Sequence, residues 1–170
     1  MIFVEAVSLI LHYEGGYVFN ENDPGGETNL GISKRSHPEL DIKNLTRAQA
    51  LAVYLEDYWL KARVDRLPAD LRLIVFDCAV NQGVGSARRF LQKSLGVKVD
   101  GIVGPVTLAA AHSTPTTIVI DRFAMERHLS YASLPGWKHF GKGWSKRLLE
   151  VAVLSAFSVA TSDSPSLAPR

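Results

Sequence analysis

The sequence predicts a mainly α-helical protein, built as a bundle around one central buried helix with a small β-hairpin near the N-terminus. Three observations lead there. Apolar residues recur at three- and four-residue spacing through most of the 170 residues. One stretch, Leu71 to Val80, is apolar almost without interruption, broken only by Arg72 and Asp77. Strand-like patterning is confined to Tyr17–Phe19 and Asn29–Ile32.

The elements follow in order. Phe3, Val7, Ile10 and Glu14 form a helical stripe, widened by Val4 and Leu11, and Gly15 suits the left-handed position that ends a helix. Thr46-Arg-Ala-Gln49 has the form of a capping box and opens a helix running to about Arg63. Pro68 sits in the first turn of the next helix, the apolar one, which Asn81-Gln-Gly-Val-Gly85 breaks. Ser86 to Leu95 is a further helix with Gly96 as its C-terminal glycine. Asp100-Gly-Ile-Val-Gly-Pro-Val-Thr107 is a tight turn leading into a helix with Pro105 at its start. Roughly 116–131 and 142–159 are two more amphipathic helices, and the Ser/Pro-rich residues 160–170 are expected to form a disordered tail.

Composition narrows the function classes. No apolar run approaches the ~20 residues that span a bilayer, so stable membrane insertion is not expected. The N-terminus lacks a basic n-region and an Ala-x-Ala-type cleavage site, which points to synthesis without a signal peptide. Cys78 is the one cysteine, and it lies inside the apolar helix, where a buried thiol is the ordinary case. His12, His37, His112, His128 and His139 show no His-x-x-x-His spacing, so neither a metal nor another cofactor is expected. Residues 1–60 carry four Lys/Arg against nine Asp/Glu, whereas residues 61–170 carry fifteen against eight. The basic part suits an anionic partner such as a bacterial envelope, with Arg88 and Arg89 the natural contacts. Nucleic acid is not expected, because no binding motif accompanies the scattered basic residues.

The chemistry concentrates between Glu14 and Ile32. This segment has too little apolar surface for core and too many backbone constraints for a casual loop. Glu14 continues an apolar stripe at a helix C-terminus, where burial and the helix dipole both disfavour its ionised form. That is what a general acid needs. Asp23 is the natural second carboxylate, although an Asp before Pro-Gly-Gly also organises its own turn. Thr28 either holds an attacking water or caps a turn. Tyr17 and Asn29 could line a sugar cleft, since sugars are held by aromatic faces and amides. Trp59, Trp137 and Trp144 read as packing residues more than as sugar platforms.

Glu14-Gly-Gly-Tyr17, Asn22-Asp-Pro-Gly-Gly-Glu-Thr-Asn29 and Gly31-Ile32 together resemble the N-terminal signature of glycoside hydrolase family 108. Members of that family are N-acetylmuramidases, found mostly as phage endolysins. The Glu14, Asp23, Thr28 order is also similar to that of the phage-type lysozymes, which space the last pair one residue wider. Asn81-Gln82-Gly83 resembles their cleft-lining Asn-x-Gly segment. Ala87-Arg-Arg-Phe-Leu-Gln92, Asp100-Gly101 and Gly104-Pro-Val-Thr107 look like the predicted peptidoglycan-binding module that accompanies the family-108 region.

The resemblance implies an α+β lysozyme-like fold with a catalytic region over 1–84 and a helical peptidoglycan-binding region over 85–159 packed on it. It implies a monomeric endolysin that cuts the bond between N-acetylmuramic acid and N-acetylglucosamine. Glu14, Asp23 and Thr28 would be catalytic, and Tyr17, Asn29, Asn81 and Gln82 would bind substrate. The enzyme would be made in the host cytoplasm and reach the wall after membrane permeabilisation. A lytic transglycosylase and a non-catalytic wall-binding module remain open, as does the choice between retention and inversion.

Overall fold

The computed structural model describes residues 1–13, 16–19 and 26–162, with side chains to residue 157. Helix α1 spans Phe3–Tyr13 and precedes an antiparallel sheet of β1 (Val18–Phe19), β2 (Glu27–Asn29) and β3 (Ile32–Ser33), ordered β1-β2-β3. Then come α2 (Arg47–Val53), a π-helical segment Tyr54–Leu60, two short 3-10 turns, and α3 (Arg72–Gln82). The chain continues through α4 (Val84–Leu95), α5 (Pro105–Ser113), α6 (Thr116–Ala132) and α7 (Trp137–Ser162). The fold is mainly helical with a small N-terminal sheet, as the sequence predicts.

The central helix is α3, in which every residue from Leu73 to Ala79 is buried. It ends at Gly83, whose φ of 88° and ψ of 149° suit a residue without Cβ, and α4 restarts one residue later. One hydrophobic cluster takes in Ala6, Val7 and Ile10 of α1, most of α3, Leu91 of α4, Phe123 of α6 and Val151 of α7. The regions expected over 1–84 and 85–159 therefore share a core. Helix α7 extends to Ser162, and residues 163–170 of the expected tail lie outside the described residues.

Several local expectations change in detail. In α1 the buried stripe is Ala6, Val7 and Ile10, and Val4 is exposed. The Phe3 ring sets that rotation by packing edge-on against Trp59 and Phe76, at 5.4 and 6.0 Å between centroids. The capping box of α2 is formed as expected, with Thr46 Oγ1 accepting from Gln49 N and Gln49 Oε1 accepting from Thr46 N. The helix nevertheless widens into π geometry after Val53. Tyr54 and Trp59 lie five apart, on different faces of an α-helix, and the i→i+5 winding brings both into the core.

The sheet pairs differently from the expected hairpin. Val18 faces Thr28 and Phe19 faces Glu27, so β1 meets β2 earlier than Asn29–Ile32. Leu30 and Gly31 are the two-residue turn between β2 and β3, both at positive φ (50° and 75°). Leucine is a poor occupant of that backbone region. It is held there because its side chain packs on the core while the Tyr54 hydroxyl donates to its carbonyl at 3.0 Å.

In the second half, Gln92 explains the Asp-Gly-x-x-Gly-Pro-x-Thr turn. Its side chain is buried. Nε2 donates to Asp100 Oδ1 at 2.8 Å and to Ile102 O at 3.1 Å, while Oε1 accepts from Gly101 N at 2.7 Å. The Gln92 amide, with the backbone N–H of Ile102, holds the Asp100 carboxyl below its usual range. Arg88 is likewise turned inward: it donates to the carbonyls of Lys61 and Gly101 instead of facing an anionic partner.

A buried ionic cluster locks α3 to the C-terminal helices. Asp77, fully buried, accepts from Arg127 Nη2 of α6 at 2.8 Å and from Arg147 Nε of α7 at 2.9 Å. Burial alone would lower the Arg127 pKa, but the Asp77 carboxylate outweighs it and the pKa is raised. Asp77→Asn would leave two guanidinium groups beside a neutral amide, and uncompensated buried charge costs about 3–5 kcal/mol. Urea melts at pH 7 should show a loss of that order, and a change below ~1 kcal/mol would mean that water or another anion reaches the cluster.

Candidate active site

The end of α1 is the anchor of the site. Tyr13, its last residue, donates its hydroxyl to Glu150 Oε2 of α7 at 3.0 Å, and the Arg147 guanidinium lies 5.0 Å from the centre of its ring. Beside it a cavity of about 520 Å³ is lined by His12, Tyr13, Lys146, Glu150, Val153 and Leu154. Glu14 follows Tyr13 directly in the chain, but Glu14 and Asp23 both lie outside the described residues.

Thr28 is at the centre of β2, half-buried, paired with Val18 on one side and Ser33 on the other. Its side chain shares a sheet face with those two residues, because directly paired residues point the same way. Asn29 is on the opposite face with Ile32, and its Nδ2 donates to Ile42 O at 3.0 Å. The adjacent candidates Thr28 and Asn29 are thus turned apart by the strand pleat. A cavity of about 710 Å³, lined by Phe19, Glu27, Lys34, Arg35, Asp41 and Ile42 among others, includes the Phe19–Glu27 pair and so belongs to the face away from Thr28. Tyr17, just before β1, is exposed.

Asn81 and Gln82 close α3, and the ionic cluster fixes both. Gln82 Oε1 accepts from Arg127 Nε at 2.8 Å, and Asn81 Oδ1 accepts from the Tyr131 hydroxyl. Tyr131 in turn accepts from Arg127 Nη2 at 3.1 Å. Asn81 is nonetheless exposed, which leaves an amide held in place at the surface. The positioning residues Asp77, Arg127, Tyr131 and Arg147 were not among the sequence candidates. The signal available was a lone Asp77 in an apolar helix, which demands a cation without saying which one.

Two groups in this region are held protonated. Partial burial, then the hydrogen bond to Glu150 and its charge, push the Tyr13 phenol up to about 12. Burial pushes the Cys78 thiol up to about 12 as well, against the opposing pull of Arg127. Its Sγ lies 3.7 Å from Gln82 Oε1 inside α3, in surroundings unlike those of a reactive thiolate.

Comparison with known proteins decides the family. Residues 7–83 match the model described as glycosyl hydrolase 108, and residues 86–149 match the one described as a predicted peptidoglycan domain. The chain belongs to glycosyl hydrolase family 108. Among solved structures it is similar to one titled as Brucella abortus SagA, at 33% identity and a TM-score of 0.83, covering 97% of this chain and 98% of that one. No curated protein matches it. The family-108 segment ends at Gly83, where α3 ends, and the second segment takes up α4 to α7. This family-108 glycoside hydrolase thus contributes residues from both segments to the neighbourhood of Tyr13.

The raised Tyr13 pKa gives a signed prediction. Its unfolded value is about 10, so above pH 10 the unfolded chain loses a proton that the folded protein keeps until about pH 12. Its contribution to stability is complete below pH 10 and is lost as pH rises through 12. Urea melts at pH 9, 10, 11 and 12 should show a steeper loss in the wild type than in Tyr13→Phe. Parallel pH profiles would mean that the phenol titrates as it does in water.

Proposed function

We propose that this protein is an N-acetylmuramidase, hydrolysing the β-1,4 bond between N-acetylmuramic acid and N-acetylglucosamine in peptidoglycan, with Glu14 as general acid. The observation that carries this reading is the family-108 match over 7–83, which spans Glu14, Asp23 and Thr28 in that order. The adjoining peptidoglycan segment supports the same substrate.

In this reading Glu14 follows directly in sequence on α1, a helix held against α7 through Tyr13 and Glu150. A protonated Glu14 donates to the leaving glycosidic oxygen. Asp23 then acts as the base or nucleophile that every two-carboxylate glycosidase requires. Thr28, on the sheet face away from Ile32, orients the attacking water. Tyr17, Asn81 and Gln82 contact the glycan, and of these Asn81 is the best supported, being an exposed amide fixed by Tyr131, while Asn29, on the other sheet face and tied to Ile42, holds the strand that carries Thr28.

The role of the second segment is to complete this site and hold the wall. Among the described residues no helix is long and apolar enough to cross a membrane. The setting proposed with this reading is a monomeric endolysin that meets the wall after the membrane has been permeabilised.

Three measurements test the reading. Purified peptidoglycan digested by the protein should yield fragments with reducible muramic acid ends. Mass spectra dominated by anhydro-muramic ends would assign a lytic transglycosylase, and no fragments at all would leave a binding module. Glu14→Gln should abolish digestion and keep binding to sedimented walls. Asp23→Asn should lose at least ~10²-fold in rate, the scale of one acid–base group, whereas near-wild-type turnover would reduce Asp23 to a turn residue.

A further inference from the structure

The core-facing stripe of α7 runs out of the body at its N-terminal end. Val151, Arg147, Trp144 and Phe140 recur at spacings of four, three and four, on one helix face. Val151 is 1% exposed and the Arg147 side chain 13%, but Phe140 on the same stripe is 61% exposed. Its position is not casual. Phe140 lies 5.9 Å from Trp144 at a tilt of 33°, and Trp144 stacks on Tyr131 at 5.3 Å and 25°. Trp137, half-buried, adds a third ring at 6.4 Å from Trp144. The turn beneath is Gly136, where a Cβ would stand 3.2 Å from both the Phe140 and the Trp144 rings, so the absence of a side chain lets the rings rest on the backbone.

This aromatic corner is continuous with the candidate site. Tyr131, under Trp144, donates its hydroxyl to Asn81, and Arg147, further along the stripe, reaches Asp77 and the Tyr13 ring. Seven residues of helix separate Arg147 from Phe140, a rise of about 10 Å. A ring there meets a part of the polymer other than the sugars next to Tyr13. Pyranose rings present flat C–H faces that pack on aromatic rings, while their hydroxyls need polar partners at the edge, and the exposed Asn81 amide is one. An aliphatic patch without such an amide would suit a protein partner better.

We propose that Phe140 and Trp144 form a sugar-stacking platform at the outer end of the site, holding a glycan residue beyond the bond that is cut. The inference rests on the muramidase reading for its substrate class and adds a specificity-determining subsite. Phe140 supplies the open face and Trp144 the fixed edge. Tyr131 ties the platform to Asn81, so that glycan bound on the rings is aligned with the amide.

The test uses the full chain as wild type, Phe140→Ala and Phe140→Trp, on peptide-free glycan strands graded by length. On long strands Phe140→Ala should raise KM about fivefold, the scale of one aromatic contact, with kcat and Tm held. The penalty should shrink as strands shorten, and Phe140→Trp should restore the wild-type KM. In a Glu14→Gln background the same strands should shift the tryptophan emission, with about fivefold weaker binding when Phe140 is also alanine. An unchanged KM on long strands overturns the platform and leaves the muramidase reading intact. A KM rise independent of strand length, or a dimer in sedimentation that Phe140→Ala dissociates, overturns it too. If the wild type cuts nothing, the muramidase reading fails, and the emission titration alone decides the platform.

Discussion

The carboxylate of Asp77 is the constraint on which the arrangement depends. It is the one acidic group inside the central helix, it is fully buried, and it is satisfied by guanidinium groups from two other helices. A buried ion pair is weak evidence of net stability, because desolvation offsets most of the attraction. Its better attested role is to fix register. Helix α3 can seat only where Arg127 of α6 and Arg147 of α7 both reach it. A sliding of either helix by one turn would strand a charge in the core.

That dependence runs through to the site. Arg127 also holds Gln82 and, through Tyr131, Asn81, so the amides at the end of α3 are positioned by α6. Arg147 reaches the Tyr13 ring and Glu150 takes the Tyr13 hydroxyl, so the end of α1 is positioned by α7. The family-108 segment supplies the candidate acid, base and amides. The peptidoglycan segment supplies Arg127 and Tyr131, which hold the two amides, and Arg147, which reaches the Tyr13 ring.

Much of the helical framework was readable from sequence because it rests on local rules: the Thr46–Gln49 capping box, Gly96 in the left-handed C-terminal position, and Pro105 in a first turn. What escaped was long-range. Nothing near Asp77 names Arg127 and Arg147, fifty and seventy residues away. Arg88 has the composition of a surface cation, and only the neighbouring carbonyls of Lys61 and Gly101 make it structural. The π-helical segment follows from the need to bury both Tyr54 and Trp59, which periodicity reads as an ordinary helix. At the site, the motif spacing identified Thr28 and Asn29 together, but the pleat separates them. Glu14 and Asp23 keep only their sequence argument.

The sheet that carries Thr28, a candidate residue, is held from outside itself. Strands of two or three residues do not sustain themselves in water. Their register comes from outside: Ile32 is buried in the core, Asn29 is tied to Ile42, and Leu30 is tied to Tyr54. A slip of one residue would exchange the faces of Glu27 and Thr28, putting a carboxylate where the Thr28 hydroxyl now stands. The left-handed Leu30 is the point where this is prevented. Its strain is accepted because the same residue that bends the turn also plugs the core beneath it, so the turn cannot migrate without exposing leucine and burying a polar neighbour. The positioning of Thr28 is therefore a consequence of hydrophobic packing two residues away, transmitted by the fixed alternation of a strand.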